Sequence, residues 1–247
     1  MNATPNPARP QTPELIIALD VPAKPDALKL AAALGGAAGF YKVGLELFTA
    51  GGPDIVRALK AQGGRVFLDL KLHDIPRQVE RAVKAAAALG ADLLTVHASG
   101  GGAMLRAAAE AALETGPNRP RLLAVTALTS LDASDLADIG VNRAMREHVE
   151  ALGALAAGQG IDGVVCSPQE VARMRTILGP AALLVTPGIR PASATPRADD
   201  QKRTMTPAQA ARAGANYIVV GRPILSARDP AAAARAILEE LATARSA

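Results

Sequence analysis

Short apolar runs alternate along this chain with longer stretches in which alanine and leucine recur among charged residues. The runs fall at Leu15–Leu19, Phe40–Val43, Val66–Leu70, Leu93–Val96, Leu122–Val125, Gly163–Val165, Leu183–Val185 and Tyr217–Val220. Each is short enough for a strand, and the helical stretches that follow most of them predict a parallel sheet with crossover helices. Those stretches include Pro25–Leu34, Pro76–Leu89, Gly102–Leu113 and Pro230–Ala242, with a shorter one at Pro207–Ala213 after the seventh run. Eight strand-helix units in a chain of 247 residues match the count and size of a single α/β domain folded as a (β/α)8 TIM barrel. An open doubly wound sheet usually has fewer strands and often carries a Gly-rich loop after the first. Here the first run ends in Leu19-Asp20-Val21-Pro22, which is no such loop.

Composition supports one large core. The chain is 49% hydrophobic but only 2% aromatic, so its apolar mass is Ala, Leu, Val and Ile, the residues of helices packed on a branched-residue sheet. Residues 1–13 are polar and proline-rich without an apolar centre. They read as a disordered tail ahead of a catalytic domain spanning 14–247, and not as a signal peptide. No stretch approaches the ~20 apolar residues of a membrane span, so a soluble cytoplasmic protein with no membrane partner is expected. The formal charge of +4 is spread along helices and mixed with acids, with no basic run or aromatic platform, which argues against a nucleic-acid partner. Cys166 is the single cysteine, so an internal disulfide and a cysteine-based metal cluster are both excluded. It reads as a small buried residue at a strand end.

The candidate chemistry lies where the third run stops. Asp69-Leu70-Lys71-Leu72-His73-Asp74-Ile75-Pro76 places two carboxylates and an ammonium within six residues. On a strand, residues two apart share a face, so Asp69 and Lys71 are expected to look into the same space. Asp74 lies just beyond, ahead of a proline suited to the first turn of a helix. Charges clustered at a strand end are costly unless they pair with one another or with a ligand. In a barrel every strand opens at its C-terminal end on one face. The other polar residues expected there are Asp20, Lys42, His97, Thr126 with Thr129 and Ser130, Cys166 with Ser167, Thr186 with Arg190, and Gly221 with Arg222. Taken singly, Lys42 reads as a snorkelling side chain and His97 as a core histidine. Asp20, Lys42, Asp69 and Lys71 come from three consecutive strands, however, and are expected to converge on one cavity.

Thr186-Pro187-Gly188-Ile189-Arg190 and Val220-Gly221-Arg222-Pro223 follow the seventh and eighth runs, where such barrels often bind phosphate. Glycine lets backbone N–H groups approach closely, and arginine can grip two phosphate oxygens at once, which points to a phosphorylated substrate. The polar segment 190–206 reads either as a surface connection or as a lid that orders over the phosphate.

These motifs, together with Ala18-Leu19-Asp20, Tyr41-Lys42-Val43-Gly44-Leu45-Glu46 and Leu128-Thr129-Ser130, resemble those of the bacterial orotidine 5′-phosphate decarboxylases, in the same order from about Leu15 to the last helix. The Asp-x-Lys-x-x-Asp core is shared with related sugar-phosphate enzymes; Lys-Leu-His-Asp-Ile-Pro with Pro-Gly-Ile-Arg is more specific. The resemblance implies conversion of orotidine 5′-phosphate to UMP and carbon dioxide, the last step of de novo pyrimidine synthesis. No cofactor and no metal would be used. It also implies a homodimer with each active site at the subunit interface. Carried over, Lys71 would be the proton donor, with Asp69, Lys42 and Asp74 completing a catalytic charge array in which Asp74 serves the neighbouring subunit's site. Asp20 and Lys42 would hold the ribose hydroxyls, and Thr129 and Ser130 the pyrimidine side. Arg190, Gln201, Arg222 and the Gly221 backbone would hold the phosphate. Asp69, Ile75 and Pro187 would also line the substrate site.

The chemistry is consistent with the residues alone. Loss of carbon dioxide from an sp² carbon leaves an electron pair that the ring cannot delocalise, and a fixed ammonium beside that carbon stabilises the charge as it develops. Asp69 would keep Lys71 oriented and charged. The rival readings are a magnesium-using phosphosugar enzyme on the same scaffold, against which the two lysines weigh, and a non-catalytic nucleotide-binding barrel, which has little need of a carboxylate at that position.

Overall fold

The structure, a computed structural model, describes residues 12–191 and 204–244. Most of the expected tail, Gln201 and most of the segment 190–206 lie outside the described residues. Eight parallel strands close into a barrel in chain order: β1 (Glu14–Ala18), β2 (Phe40–Val43), β3 (Arg65–Leu72), β4 (Leu93–His97), β5 (Arg121–Val125), β6 (Gly163–Val165), β7 (Leu183–Thr186) and β8 (Tyr217–Val220). Closure is made by β8 against β1, with Leu15 opposite Ile218 and Ile17 opposite Val220. All eight expected strands are present: β2, β6 and β8 coincide with the expected bounds, and β1, β4, β5 and β7 differ by one residue at one or both ends. The exception is β3, which continues past Leu70 to Leu72.

Alternation along each strand divides the apolar residues between two cores. Ile16, Ala18, Phe40, Phe67, Leu93, Leu123, Val185 and Val219 fill the barrel interior. The residues between them, such as Leu15, Ile17, Leu68, Leu94 and Leu184, face outward and pack under the helices. Both faces are therefore apolar, which is why the strands read as continuous runs. The helix Pro76–Ala88 shows how the outer layer is built: Pro76 starts it, and Val79, Val83 and Ala86 recur at helical spacing to bury one stripe. The helices Leu45–Gly51, Pro53–Ala61, Ala133–Asp138, Met145–Gly158 and Val171–Leu178 complete units that the apolar pattern outlines less sharply. Strand β6 is only three residues long and presses closely on β7; a Cβ at Gly163 would run into the Leu183 carbonyl.

The N-terminal ends of the strands are fastened by partly buried polar staples. Asp92 accepts from the Val66 amide at 2.7 Å and from Lys60 at 2.8 Å, while Asp162 accepts from the Leu122 amide at 2.8 Å and pairs with Arg119 at 2.6 Å. Arg175 donates to the Ala182 and Gly214 carbonyls and to Asn216. Such staples serve the stability of that face and leave the opposite face to carry chemistry.

Candidate active site

Asp20, Lys42, Asp69 and Lys71 meet at the C-terminal end of the barrel, as their strand positions predict. The Lys42 Nζ lies 2.9 Å from Asp20 Oδ1 and 3.8 Å from Asp69 Oδ2, and the Lys71 Nζ lies 2.9 Å from the same Asp69 oxygen. Acid and base thus alternate along one line. The inner members are the more enclosed: the Lys42 and Asp69 side chains are each 13% exposed, against 57% for Asp20. Gly44 makes room for this array, since a Cβ there would stand 2.9 Å from the Lys42 Nζ.

The local backbone that delivers Asp69 and Lys71 is not the regular strand that simple alternation assumes. Leu68 pairs with Leu94 and Leu72 pairs with Val96, so three residues of β3 stand against the single Thr95 of β4. Two extra residues preserve the inward-outward parity while bending the strand, as a bulge does. Lys71 accommodates the bulge at φ 50°, in the left-handed region that residues with a Cβ avoid. Thr95, fully buried and pointing inward, closes the gap. Its hydroxyl accepts from the Lys71 amide at 2.8 Å and donates to Asp69 Oδ1 at 3.0 Å.

Above the inner core is a cavity of about 780 Å³, within the range of small-molecule sites. Its floor includes Phe67, Val125, Val165 and Val219, and one wall carries Asp20, Lys42, Asp69 and Lys71. Thr129, Ser130, Pro187, Arg190, Gly221 and Arg222 line it as well. Strand order places β7 across the barrel from β3, so Arg190 and the lysine array enter from facing sides. Gly188, at φ 74°, turns the chain after β7, and the Arg190 amide is held by the Met205 carbonyl at 2.9 Å. At Gly221 the backbone runs close to the first strand: a Cβ there would lie 3.3 Å from both the Ala18 Cβ and Asp20 Oδ2.

Residues 13–237 match the model of the Orotidine 5'-phosphate decarboxylase / HUMPS family. The chain belongs to this family. Among curated relatives it is similar to the orotidine 5'-phosphate decarboxylase of Moorella thermoacetica, 51% identical over 233 residues that make up 92% of each chain. It is 55% identical over 220 residues to that of Anaeromyxobacter sp. (strain K), covering 89% of this chain and 94% of the relative. The crystal structure of orotidine 5'-phosphate decarboxylase from Lactobacillus acidophilus superposes with a TM-score of 0.83 at 41% identity, covering 93% of this chain and 99% of that one.

Of the residues expected in the family's site, Asp74 and Ile75 stand apart. Both are exposed and neither lines the cavity; the Asp74 carboxylate accepts from the Ile75 amide at 2.6 Å. Gln201 lies outside the described residues. The remaining polar strand-end residues divide. Cys166 is buried yet lines the cavity, whereas Thr126 turns its hydroxyl to the Val165 carbonyl at 3.3 Å and Ser167 caps the short helical turn that follows it. Thr186 does not belong to the site, contrary to its expected place beside Arg190. Val185 takes the inward position, which leaves Thr186 outward, fully buried under the helices and without a hydrogen-bond partner for its hydroxyl among the described residues. His97 lies against His73 with ring centroids 5.3 Å apart and ring planes tilted by 34°. Burial holds His97 below the ordinary histidine range, reinforced by His73 and Lys71 and opposed by Asp69.

Sequence reading missed Thr95 altogether. The available signal was a lone hydroxyl in the apolar run Leu93-Leu94-Thr95-Val96, on the strand next to the charged motif.

Proposed function

We propose that this protein is a carboxy-lyase that converts orotidine 5′-phosphate to UMP and carbon dioxide, with Lys71 as proton donor and without a metal or organic cofactor. The observation that carries the reading is the Lys71–Asp69 pair, 2.9 Å apart, on the wall of the same cavity that Arg190, Gly221 and Arg222 line. A phosphate held by the latter places a nucleotide across the cavity with its base toward Lys71. The bond from ring carbon C6 to the carboxylate then breaks, its electron pair stays on C6, and carbon dioxide leaves. The Lys71 ammonium stabilises that pair and passes it a proton, and the resulting amine regains a proton from solvent. A preorganised charge of this kind is often the largest single catalytic contribution. Asp20 and Lys42 hold the ribose hydroxyls, Thr129 and Ser130 face the pyrimidine, and Pro187 packs beside it. Gln201 joins the phosphate grip. Binding energy from that remote phosphate can be used at the reacting carbon.

Asp74 and Ile75 complete the site of a second copy in a homodimer. Ile75 is 65% exposed in the single chain, an apolar surface of the kind that a partner covers. No described helix is long and apolar enough to cross a membrane, which accords with a cytoplasmic enzyme of nucleotide synthesis.

The test is to mix purified protein with orotidine 5′-phosphate in excess EDTA and follow the loss of substrate absorbance together with UMP formation. Sustained turnover is expected, and Lys71→Ala should lower it by roughly a thousandfold or more, about 4 kcal/mol, while binding UMP nearly as well. Decarboxylation that EDTA abolishes would overturn the metal-free mechanism, and absence of turnover with or without EDTA would favour a magnesium-dependent phosphosugar reaction on the same scaffold. UMP binding without turnover would leave only a nucleotide-binding barrel.

A further inference from the structure

We infer that Thr95 is a positioning residue for the reacting end of Lys71. The inference rests on the proposed role of Lys71. In a regular parallel ladder the Lys71 amide would point away from β4, to the side on which the Arg65 amide meets the Gly39 carbonyl; the two extra residues of β3 and the left-handed turn at Lys71 bring it round to β4 instead. There the Thr95 hydroxyl supplies the acceptor, 2.8 Å from the Lys71 amide. The same oxygen gives its only proton to Asp69 Oδ1 at 3.0 Å, which leaves Asp69 Oδ2 turned toward the Lys71 and Lys42 ammonium groups. A hydroxyl has one proton to donate and lone pairs to accept, and here both capacities are used within the charged motif.

The consequence concerns geometry. Lys71 sits at φ 50°, where a residue with a Cβ stays only if its surroundings hold it there. Without the hydroxyl the amide loses its partner, the backbone is free to relax toward extended geometry, and the Cα–Cβ direction that aims the Nζ swings away. The Asp69 carboxylate is freed to rotate at the same time. Misplacing a reacting group by an ångström can cost on the order of a hundredfold in rate. Because Thr95 is fully buried beneath the cavity and does not line it, ligand contacts are left in place.

Three variants separate positioning from packing. Thr95→Val keeps the shape and removes the hydroxyl; Thr95→Ser keeps the hydroxyl and removes the methyl; Thr95→Ala removes both. If Thr95 positions Lys71, Thr95→Val lowers kcat by about 10- to 100-fold while KM and the Kd for UMP stay within about threefold, and Thr95→Ser keeps kcat within about threefold of the parent. A packing role predicts the reverse order, with Val active and Ser impaired, and that result overturns the inference. Should Thr95→Val fail to fold, Thr95→Ser and Thr95→Ala, which differ by one oxygen, give the same comparison. Hydrogen exchange of the Lys71 amide reads the hydrogen bond without any turnover. It should be protected in the parent and in Thr95→Ser and accelerated by at least about tenfold in Thr95→Val or Thr95→Ala, and unchanged exchange overturns the inference. An inactive parent protein would instead refute the proposed function, with the exchange measurement still deciding the bond.

Discussion

Asp69→Asn tests the electrostatic reasoning most directly, because it changes charge and little else. The asparagine carbonyl can still accept from Thr95, but its amide then faces two ammonium groups where a carboxylate oxygen stood, 2.9 Å from Lys71 and 3.8 Å from Lys42. At an effective dielectric constant of about 20, those separations correspond to attractions of roughly 6 and 4 kcal/mol. Most of this is offset by the cost of desolvating the carboxylate, and Lys71, 28% exposed, keeps some water. The repulsion that remains is easier to bound. Both Nζ atoms lie within 2.9 and 3.8 Å of one oxygen, so they are no more than about 6.7 Å apart and repel by at least ~2.5 kcal/mol at the same dielectric. Asp20, 2.9 Å from Lys42, still neutralises one of them. The net expectation is a folding stability lower by ~2 kcal/mol, or a melting temperature down by about 4–8 °C, with kcat reduced by at least about a hundredfold. Urea unfolding with a two-state fit and the decarboxylation assay measure the two effects. A variant as stable as the parent, or more stable, would refute the claim that Asp69 holds the lysines together in the free protein.

Arg190→Ala should cost ~2–4 kcal/mol in kcat/KM for orotidine 5′-phosphate and hardly alter the reaction of orotidine lacking phosphate; equal losses on both would place Arg190 elsewhere in the mechanism. Lys71→Ala and Asp74→Asn homodimers should each be nearly inactive, yet subunit exchange between them should restore about a quarter of parental activity, because half of the randomly formed dimers carry one intact site. If mass spectrometry shows mixed dimers that stay inactive, Asp74 serves its own subunit. His97 predicts a pH dependence of stability. Burial keeps its folded value below the ordinary 6.5, so as pH falls through that value the unfolded chain takes up a proton before the folded one does, and stability drops. His148, shifted the same way by burial and Arg143, adds to the slope. Urea midpoints should therefore be lower near about pH 5.5 than near about pH 7.5, and His97→Asn should flatten part of that difference; an unchanged slope would remove His97 from the account.

The strand count, barrel class and candidate charged residues were legible because each rests on local information. An apolar run such as Leu122–Val125 is suited to burial on both faces of a sheet, and a polar residue after such a run, Asp20 or Arg190, emerges at the mouth of a parallel barrel. The features that aim the chemistry depend on how neighbouring strands register, which a single run does not encode. Parity alone put Asp69 and Lys71 together, but the two-residue bulge, the left-handed Lys71 and the Thr95 bridge exist only because β3 pairs with β4 on either side of the mismatch. Thr186 shows the same limit from the other side. With apolar residues on both faces of β7, nothing in Leu183-Leu184-Val185-Thr186 says which set faces inward, and barrel closure turned the hydroxyl away from the site. Asp74 is adjacent to the charged motif in sequence, yet the chain carries it out of its own cavity to the surface. Composition and alternation thus determined which residues were available at the barrel mouth, and tertiary pairing decided where each one points, since direction is set by contacts between segments distant along the chain.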